Sequence, residues 1–221
     1  MKRAVVIGTG SFGQLADLYL RVDGGYEIPA FVVTDDHVKK MAANFSDRPV
    51  VGLGRLRELF DPGNTEVFVA VGYRGMNSVR RDLCHAVKSA GFRLLSYAHS
   101  SVTCWQDTKI GENVFIFEDN TIQPFTSIGD GVVMWSGNHL GHHSVIEDWT
   151  FIASHAVVSG HCRIGEASFL GVNSTIADGI TVGPRNLIGP GALIQKNTGA
   201  DEAWFAERAR KFPRPSSYFF K

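Results

Sequence analysis

The sequence has few cysteines, no excess of charge of either sign and no long apolar run. Cys84, Cys104 and Cys162 form an odd and scattered set, which argues against a disulfide framework or a CxxC metal site and favours a reducing compartment. Because 22 basic residues balance 22 acidic ones, no global field attracts nucleic acid or an anionic membrane. No apolar stretch approaches the ~20 residues of a membrane helix, and Gly8 and Gly10 interrupt the apolar run that a signal peptide needs. We therefore expect a cytoplasmic protein that contacts neither nucleic acid nor a membrane.

Only 8 prolines accompany 24 glycines, and the first half of the chain differs from the second in its pattern. Residues 1–100 alternate apolar runs, such as RAVVIG and EVFVAVG, with segments of helical spacing, such as SFGQLADLYLRV and NSVRRDLCHAVKSAG. The segments YEIPAFVVTDD and FRLLSYAH are predicted to form the second and fourth strands. This order of strands and helices predicts a small Rossmann-like α/β domain with a parallel sheet and crossover helices.

From about residue 101 the helical spacing gives way to a period of six. The residue at every sixth position is aliphatic or Met, and these positions are Ile110, Ile116, Ile122, Ile128, Met134, Leu140, Ile146, Ile152, Val158, Ile164, Leu170, Ile176, Val182, Ile188 and Ile194. Small residues tend to stand two positions earlier, and Gly often follows, where it accepts the backbone of a corner. The pattern predicts a solenoid in which three hexads form one triangular coil of 18 residues around an aliphatic axis.

These hexads resemble the hexapeptide-repeat acyltransferases, whose fold is a left-handed parallel β-helix. With the βαβ-type domain in front, the chain is similar to bacterial N-acetyltransferases of nucleotide-linked amino sugars and to sialic acid O-acetyltransferases. The change of pattern predicts an α/β domain at 1–100 and a solenoid at 101–198, for which the resemblance implies an all-β left-handed β-helix. A C-terminal extension at 199–221 follows, for which the sequence predicts a short helix and an aromatic tail. The resemblance further implies a homotrimer that uses acetyl-CoA in bacterial glycan biosynthesis, such as that of lipopolysaccharide O-antigen.

The segment GNHLGHHSVIEDWTFIASH holds four of the eight histidines. Acetyl transfer to an amine needs a base, and the tetrahedral intermediate needs a donor for its oxyanion. In the resembled family the base is a histidine in an "xxIxHxxxIG" context followed by an acid, so LGHHSVIED implies His142 as the base and Gly160 as the backbone donor. Residues 18 apart are expected about 4.7–4.9 Å apart, which independently places Gly160 beside His142. His143 stands where the family has its acid, with Glu147 and Asp148 as candidate substitutes.

The other histidines fall into separate columns of the solenoid. His161 follows His143 by 18 residues, so their imidazoles are expected to stack on the outside. For His139, His155 and His161 a polar outer face is the favoured interpretation. A metal site is the competing one, because hexapeptide β-helices include zinc-dependent carbonic anhydrases whose histidines meet at a trimer interface. A nucleotide-type domain has no role in that chemistry, and no metal is predicted.

The N-terminal candidates surround GTGSFG, a GxGxxG motif between a strand and a helix. Its glycines permit close approach of a phosphate to the helix N-terminus, although a turn without ligand gives the same pattern. About 100 residues are too few for a dehydrogenase, and the resemblance implies that this domain holds the nucleotide and diphosphate of the sugar substrate. VGYRGMNSVRRDL matches the family's "IGxNxxR" segment, and its arginine is either a bidentate phosphate ligand or a solvated helix residue. The substrate candidates are Gly8, Gly10, Ser11, Gly13, Asp35, Asp36, Gly72, Asn77 and Arg80.

Coenzyme A is expected on the outside of the solenoid, since the packed axis has no room for pantetheine. Trimeric relatives bind it between neighbouring prisms. One corner column narrows from bulky to bare residues and is a candidate channel: Phe117, Trp135, Ala153, Gly171 and Gly189. LGVNS matches the family's "iGxns", and the cofactor candidates are His155, Gly171, Val172, Asn173 and Gly189. The alternatives to N-acetylation are sugar O-acetylation, a zinc-dependent carbonic-anhydrase-like lyase and a non-catalytic nucleotide-sugar-binding scaffold.

Overall fold

The computed structural model describes residues 2–40 and 44–219. It confirms the predicted fold class, a small parallel α/β domain followed by a left-handed β-helix. Within the described ranges, none of the helices combines the length and apolar character needed to cross a membrane.

The N-terminal domain is a mostly parallel sheet flanked by helices. Its elements are β1 (Lys2–Ile7), α1 (Ser11–Val22), β2 (Tyr26–Glu27), β3 (Phe31–Val33), α2 (Asp35–Val38), β4 (Asn44–Phe45), β5 (Arg48–Gly52), a 3-10 helix (Leu53–Arg55), α3 (Leu56–Leu59), β6 (Glu66–Val69), α4 (Ser78–Ser89) and β7 (Arg93–Leu94). The strand order is β4-β5-β3-β1-β6-β7, with β2 beside β1. Among the described strands, β4 and β5 pair antiparallel and the other pairs of this sheet are parallel. The order reverses at β1, and in such sheets the crevice at the carboxyl ends of the strands beside that point takes ligands.

Two of the predicted strands are divided in the structure. The segment from Tyr26 forms β2 and β3 separately, and Pro29, which has no N–H to donate to a ladder, lies between them. The segment from Arg93 forms β7 in the sheet and then a strand, Tyr97–Ala98, that pairs with the solenoid. The β-helix therefore begins at Tyr97, a few residues before the predicted boundary.

The β-helix has three parallel sheets, one for each face of a triangular prism. The first face, here called the docking face, consists of β8 (Tyr97–Ala98), β11 (Phe115–Ile116), β14 (Val133–Met134), β17 (Phe151–Ile152), β20 (Phe169–Leu170), β23 (Leu187–Ile188) and β25 (Ala203–Trp204). The second face consists of β9 (Thr103–Cys104), β12 (Thr121–Ile122), β15 (His139–Leu140), β18 (Val157–Val158), β21 (Thr175–Ile176) and β24 (Leu193–Ile194). The third face consists of β10 (Lys109–Ile110), β13 (Ser127–Ile128), β16 (Val145–Ile146), β19 (Arg163–Ile164) and β22 (Thr181–Val182).

The predicted period of six is confirmed strand by strand. Each hexad position from Ile110 to Ile194 is the second residue of a strand, and consecutive coils pair residues 18 apart, as Ile128 does with Ile146. These side chains fill the axis and are buried, except Ile110 at the open end, which is 42% exposed. The inward-facing aliphatic column is therefore the core that the repeat predicts.

The docking face packs against the N-terminal domain. Its outward side chains are apolar, and Phe115 is fully buried against Phe12 and Phe68, at ring-centroid distances of 5.7 and 4.9 Å. Phe117 is 1% exposed and stacks on Trp135 at 4.7 Å. Phe117 and Trp135, at the bulky end of the predicted pantetheine column, therefore belong to this interface. This corrects the interpretation of that column as an open channel.

Arg80 joins the two domains from α4. Its side chain is 0% exposed. Nε donates to the carbonyl of Gly131 at 3.0 Å and Nη2 to that of Trp149 at 3.3 Å. Nη1 donates to the carbonyls of Val71 and Gly72 at 3.0 and 3.2 Å. Burial lowers the pKa of Arg80 to about 10, so the guanidinium stays charged at neutral pH. Arg80 is thus neither a solvated helix residue nor open to a phosphate, and the substrate contact expected for it is corrected to a structural one.

The C-terminal segment extends the solenoid instead of forming the predicted short helix. β25 pairs with β23 on the docking face, and the described part of the segment ends in a 3-10 helix, Ser216–Phe219. Phe205 lies over Gly189, where an added Cβ would stand 2.5 Å from its ring. Gly189, a cofactor candidate, is therefore in contact with the chain's own C-terminal segment.

Candidate active site

Three histidines meet at the corner between the second and third faces. This histidine corner comprises Pro124–Phe125, His142–His143, Gly160–His161 and Asp178–Gly179, one pair from each of four successive coils. The second residue of each pair has left-handed backbone, with φ between 55° and 69°. Because the turn repeats every 18 residues, side chains on this corner are stacked one coil above the next.

The imidazoles of the corner contact one another. His142 Nδ1 lies 3.1 Å from His143 Nδ1, and the two rings are nearly perpendicular. The rings of His143 and His161 are stacked at 4.8 Å with 17° between their planes, which confirms the predicted stack. The ring of His161 also meets that of His142 edge to face at 5.0 Å. All three side chains are exposed to solvent.

His142 lies directly over Gly160, as the 18-residue column predicts. A Cβ at Gly160 would stand 2.9 Å from His142 Cε1, 3.0 Å from His142 Nε2 and 3.0 Å from Asp178 Oδ1. Any larger residue at position 160 would therefore crowd the side chains of His142 and Asp178. The carbonyl of Gly160 accepts from Gly179 N–H at 2.9 Å, whereas its own N–H makes no hydrogen bond within the described ranges.

The backbone of the corner is held by hydrogen bonds to the neighbouring coils. His142 N–H donates to Gln123 Oε1 at 2.9 Å, and His143 N–H donates to the carbonyl of Pro124 at 3.2 Å. His161 N–H donates to the carbonyl of His142 at 2.9 Å. These bonds fix the Cα positions from which the three imidazoles project, although the rings themselves are exposed.

The two acids considered as substitutes for a carboxylate beside His142 are engaged elsewhere. Glu147 forms an ion pair with Arg163 and accepts from the N–H of Glu166 at 2.8 Å. Asp148 accepts from the N–H of Asp130 at 2.8 Å. His143 is therefore the side chain that faces Nδ1 of His142 in this structure.

The predicted cofactor residues lie on a different edge of the prism. His155 and Asn173 are left-handed corner residues between the docking face and the second face, with φ of 58° and 56°. The imidazole of His155 covers Gly137, and Val172 is exposed beside Asn173. Within one chain, this edge does not meet the histidine corner.

A cleft of about 490 Å³ lies at the carboxyl ends of β1, β3 and β6. It is lined by Ile7, Gly8, Thr9, Gly10, Ser11, Phe12, Val33, Thr34, His37, Ala70, Val71, Gly72, Arg74, Val79 and Leu83. Four predicted substrate residues are thus brought together there: Gly8, Gly10, Ser11 and Gly72. A Cβ at Gly10 would enter open space, whereas one at Gly13 would overlap the carbonyl of Gly8.

The other predicted substrate residues do not line the cleft. Both carboxylate oxygens of Asp35 lie 3.2 Å from the N–H of Gly54, and Asp36 is exposed on α2. Asn77 is fully buried under the solenoid, and its Nδ2 lies 3.4 Å from the carbonyl of Ala167. The acid after β3 therefore holds the 3-10 helix Leu53–Arg55 of this domain.

Four polar residues of the cleft were missed from the sequence: Thr9, Thr34, His37 and Arg74. His37 Nδ1 lies 2.7 Å from Thr34 Oγ1, and Arg74 stands on the loop after β6. Arg74 belongs to the same VGYRGMNSVRRDL segment from which Arg80 was chosen, and its place at the carboxyl end of a strand was the available signal.

The hexads thus build a left-handed β-helix, and an α/β domain docks on one of its three faces. Residues 161–196 match the family described as bacterial transferase hexapeptide (six repeats). The comparison with curated proteins gave no match.

Solved structures match nearly the whole chain. A histidine-to-asparagine mutant of perosamine N-acetyltransferase from Caulobacter crescentus, in complex with CoA and GDP-perosamine, has a TM-score of 0.82 and 25% identity over 92% of this chain and 93% of that one. The acetyltransferase domain of PglB from Neisseria gonorrhoeae FA1090, in complex with acetyl coenzyme A, has a TM-score of 0.82 and 24% identity over 96% and 99%. WeeI from Acinetobacter baumannii AYE has a TM-score of 0.72 and 19% identity over 90% and 94%. The last two show the fold alone, and the set confirms the predicted resemblance to hexapeptide-repeat sugar acyltransferases.

Proposed function

We propose that this hexapeptide-repeat acyltransferase transfers the acetyl group of acetyl-CoA to the amino group of a nucleotide-linked amino sugar, in bacterial glycan biosynthesis in the cytoplasm. The observation that carries the proposal is the imidazole of His142 lying over the bare backbone of Gly160. The complexes of the similar perosamine N-acetyltransferase with CoA and GDP-perosamine support the two substrate classes.

His142 is proposed as the general base. The edge of its ring that carries Cε1 and Nε2 faces Gly160. To accept the amine proton, Nε2 needs a free lone pair, which puts the proton of neutral His142 on Nδ1, where it is donated to Nδ1 of His143. As the sugar amine attacks the thioester carbonyl, Nε2 takes the amine proton, and the C–N bond forms. Collapse of the intermediate breaks the C–S bond, and the departing thiolate of CoA takes up that proton.

Gly160 and His143 are proposed to assist His142. The N–H of Gly160 is a donor for the oxyanion of the tetrahedral intermediate, where one such hydrogen bond is typically worth roughly 10²–10³-fold in rate. His143 accepts from His142 Nδ1 and so orients the base, in the position where the resembled family has a carboxylate. Because an imidazole is no permanent anion, His143 orients His142 without a fixed negative charge.

The cleft in the N-terminal domain is proposed to bind the nucleotide and diphosphate of the sugar. Gly8, Gly10 and Ser11 line it at the N-terminus of α1, where backbone N–H groups and the helix dipole favour phosphate. Arg74 supplies a cation at the rim. A turnover screen with acetyl-CoA and nucleotide-linked 3- and 4-amino sugars tests the function. Activity on free or activated sialic acid instead supports O-acetylation, and sugar-nucleotide binding without turnover supports a scaffold.

Gly10→Val is expected to weaken binding of the nucleotide sugar strongly and to leave CoA affinity near native. The new methyl groups enter the open cleft, because nothing lies within 4 Å of a Cβ there and φ of −82° suits any residue. Since Gly10 caps α1, valine costs at most about 1 kcal/mol of stability. Calorimetric titrations with CoA and with the sugar nucleotide measure both affinities.

Gly13→Ala is the matched control for the loop. Its Cβ would overlap the carbonyl of Gly8. Such overpacking typically costs about 1–3 kcal/mol of stability, so this variant should have a lower melting temperature. A folded Gly10→Val protein with native affinity for the sugar nucleotide would remove the loop from the substrate site.

The working assembly is proposed to be a homotrimer with shared active sites. The histidine corner and the edge that carries His155 and Asn173 are different edges of one prism, so a second chain can bring the cofactor edge of one prism to the base of another. We expect sedimentation equilibrium to give three times the chain mass of 24.2 kDa. A stable monomer with full activity would contradict both the assembly and the shared site.

A further inference from the structure

We propose that His142, His143 and His161 bind a divalent transition-metal ion such as Zn²⁺, and that the bound ion stops acetyl transfer by occupying the imidazole of His142. The metal site stands on the geometry of the three histidines. Its inhibitory effect rests in addition on the function proposed for His142.

The nitrogen atoms of the three imidazoles are already close enough to converge on one ion. One ring nitrogen from each of the three histidines lies within 4.8 Å of the other two. The Nδ1 atoms of His142 and His143 are 3.1 Å apart. Zinc bonds of 2.0–2.1 Å to nitrogen place two ligands of a tetrahedral site about 3.3 Å apart. The His142–His143 pair therefore has nearly the spacing of two zinc ligands, with the ion in place of the shared proton.

His161 supplies the third ligand after a small ring movement. Its backbone is held next to the pair by the hydrogen bond to the His142 carbonyl at 2.9 Å. Its side chain is exposed, so its ring can leave the stack on His143 and turn a nitrogen towards the ion without opening the core. The fourth position of a tetrahedral ion faces solvent and is left for water.

The donor set determines which ions bind. Three neutral imidazoles suit Zn²⁺, Cu²⁺ and Ni²⁺, whereas Mg²⁺ and Ca²⁺ require oxygen ligands. Binding costs the hydrogen bond between His142 and His143, about 1 kcal/mol. The ion takes the Nδ1 lone pair of His142, so the proton of the neutral ring moves to Nε2, which can then no longer accept the amine proton. The ion is thus an inhibitor of this site, in contrast to the catalytic zinc of a lyase.

Direct binding to the full-length protein tests the metal site without turnover. After treatment with EDTA and its removal, the protein is titrated calorimetrically with ZnCl₂ in the absence of CoA, whose thiol binds zinc. We expect one Zn²⁺ per chain and no binding of MgCl₂. His161→Asn should weaken zinc binding at least 10-fold, and asparagine is suited to the left-handed backbone at this position (φ 55°). His139→Asn, which changes a histidine of the same solenoid outside the corner, should bind as the unmodified protein does.

Initial rates of acetyl transfer test the inhibition. Relative to its own metal-free rate, His161→Asn should need at least 10-fold more zinc for half-inhibition, and EDTA should restore the rate of the inhibited native protein. Equal zinc affinity of His161→Asn and the native protein, or unchanged transfer at saturating zinc, would overturn the inference. A chain that binds zinc through the three histidines yet transfers no acetyl group to any amino sugar would support the metal site and contradict only the proposed function.

Discussion

His142→Asn is expected to lower kcat by about 100-fold or more, with little change in KM. Asparagine keeps a polar side chain over Gly160 but cannot accept the proton of the attacking amine, and general-base catalysis contributes roughly 10²–10⁴-fold. An interaction that acts only in the transition state is lost from kcat and from kcat/KM alike. Steady-state rates at saturating acetyl-CoA, with the sugar nucleotide varied, separate the two constants.

His139→Asn serves as the control for this experiment. It stands at the start of β15, on the outer side of the second face, and should leave kcat near the native value. Native kcat in His142→Asn would remove His142 from the role of base and would indicate that the sugar amine arrives already deprotonated.

Arg80→Met is expected to destabilise the protein by about 3 kcal/mol or more. Methionine fills part of the volume but leaves the carbonyls of Val71, Gly72, Gly131 and Trp149 without their donor. Each buried polar group left unpaired costs about 1–3 kcal/mol. Urea unfolding monitored by tryptophan fluorescence measures the loss, because Trp149 lies at this junction.

Arg81→Met is the matched control, one residue further along α4. Arg81 is partly exposed and forms an ion pair with the exposed Asp82. Such surface pairs contribute about 0–1 kcal/mol, so the unfolding midpoint should hardly move. Equal effects of the two substitutions would mean that Arg80 does not hold the domains together.

The solenoid could be predicted from the sequence because its contacts are periodic. Between Tyr97 and Ile194, paired residues of neighbouring coils are 18 positions apart, so the spacing along the chain identifies the neighbour in space. The same spacing predicted that Gly160 lies under His142 and that His143 stacks on His161. In such repeats, the residues that contact each other in the folded chain can be identified from their spacing in the sequence.

The sequence did not reveal what covers the docking face. Phe117 and Trp135 were interpreted as the wide end of a pantetheine channel, but they stack beneath the N-terminal domain. A column of apolar outward residues indicates a partner surface without saying whether that partner is a ligand or a domain of the same chain. The structural role of Arg80 was missed for a similar reason. Its four acceptors are backbone carbonyls, which leave no signature in the sequence.

The sequence by itself determined the repeat, the α/β domain before it and the column in which His142 meets Gly160, because these depend on local periodicity. Only the tertiary structure decided how the two domains dock, that Asp35 holds the 3-10 helix at Gly54 while Arg74 stands at the cleft, and that His143, rather than Glu147 or Asp148, faces His142. Those arrangements depend on contacts between segments with no fixed spacing along the chain, and a side chain pairs there with whichever partner packing brings within hydrogen-bonding distance.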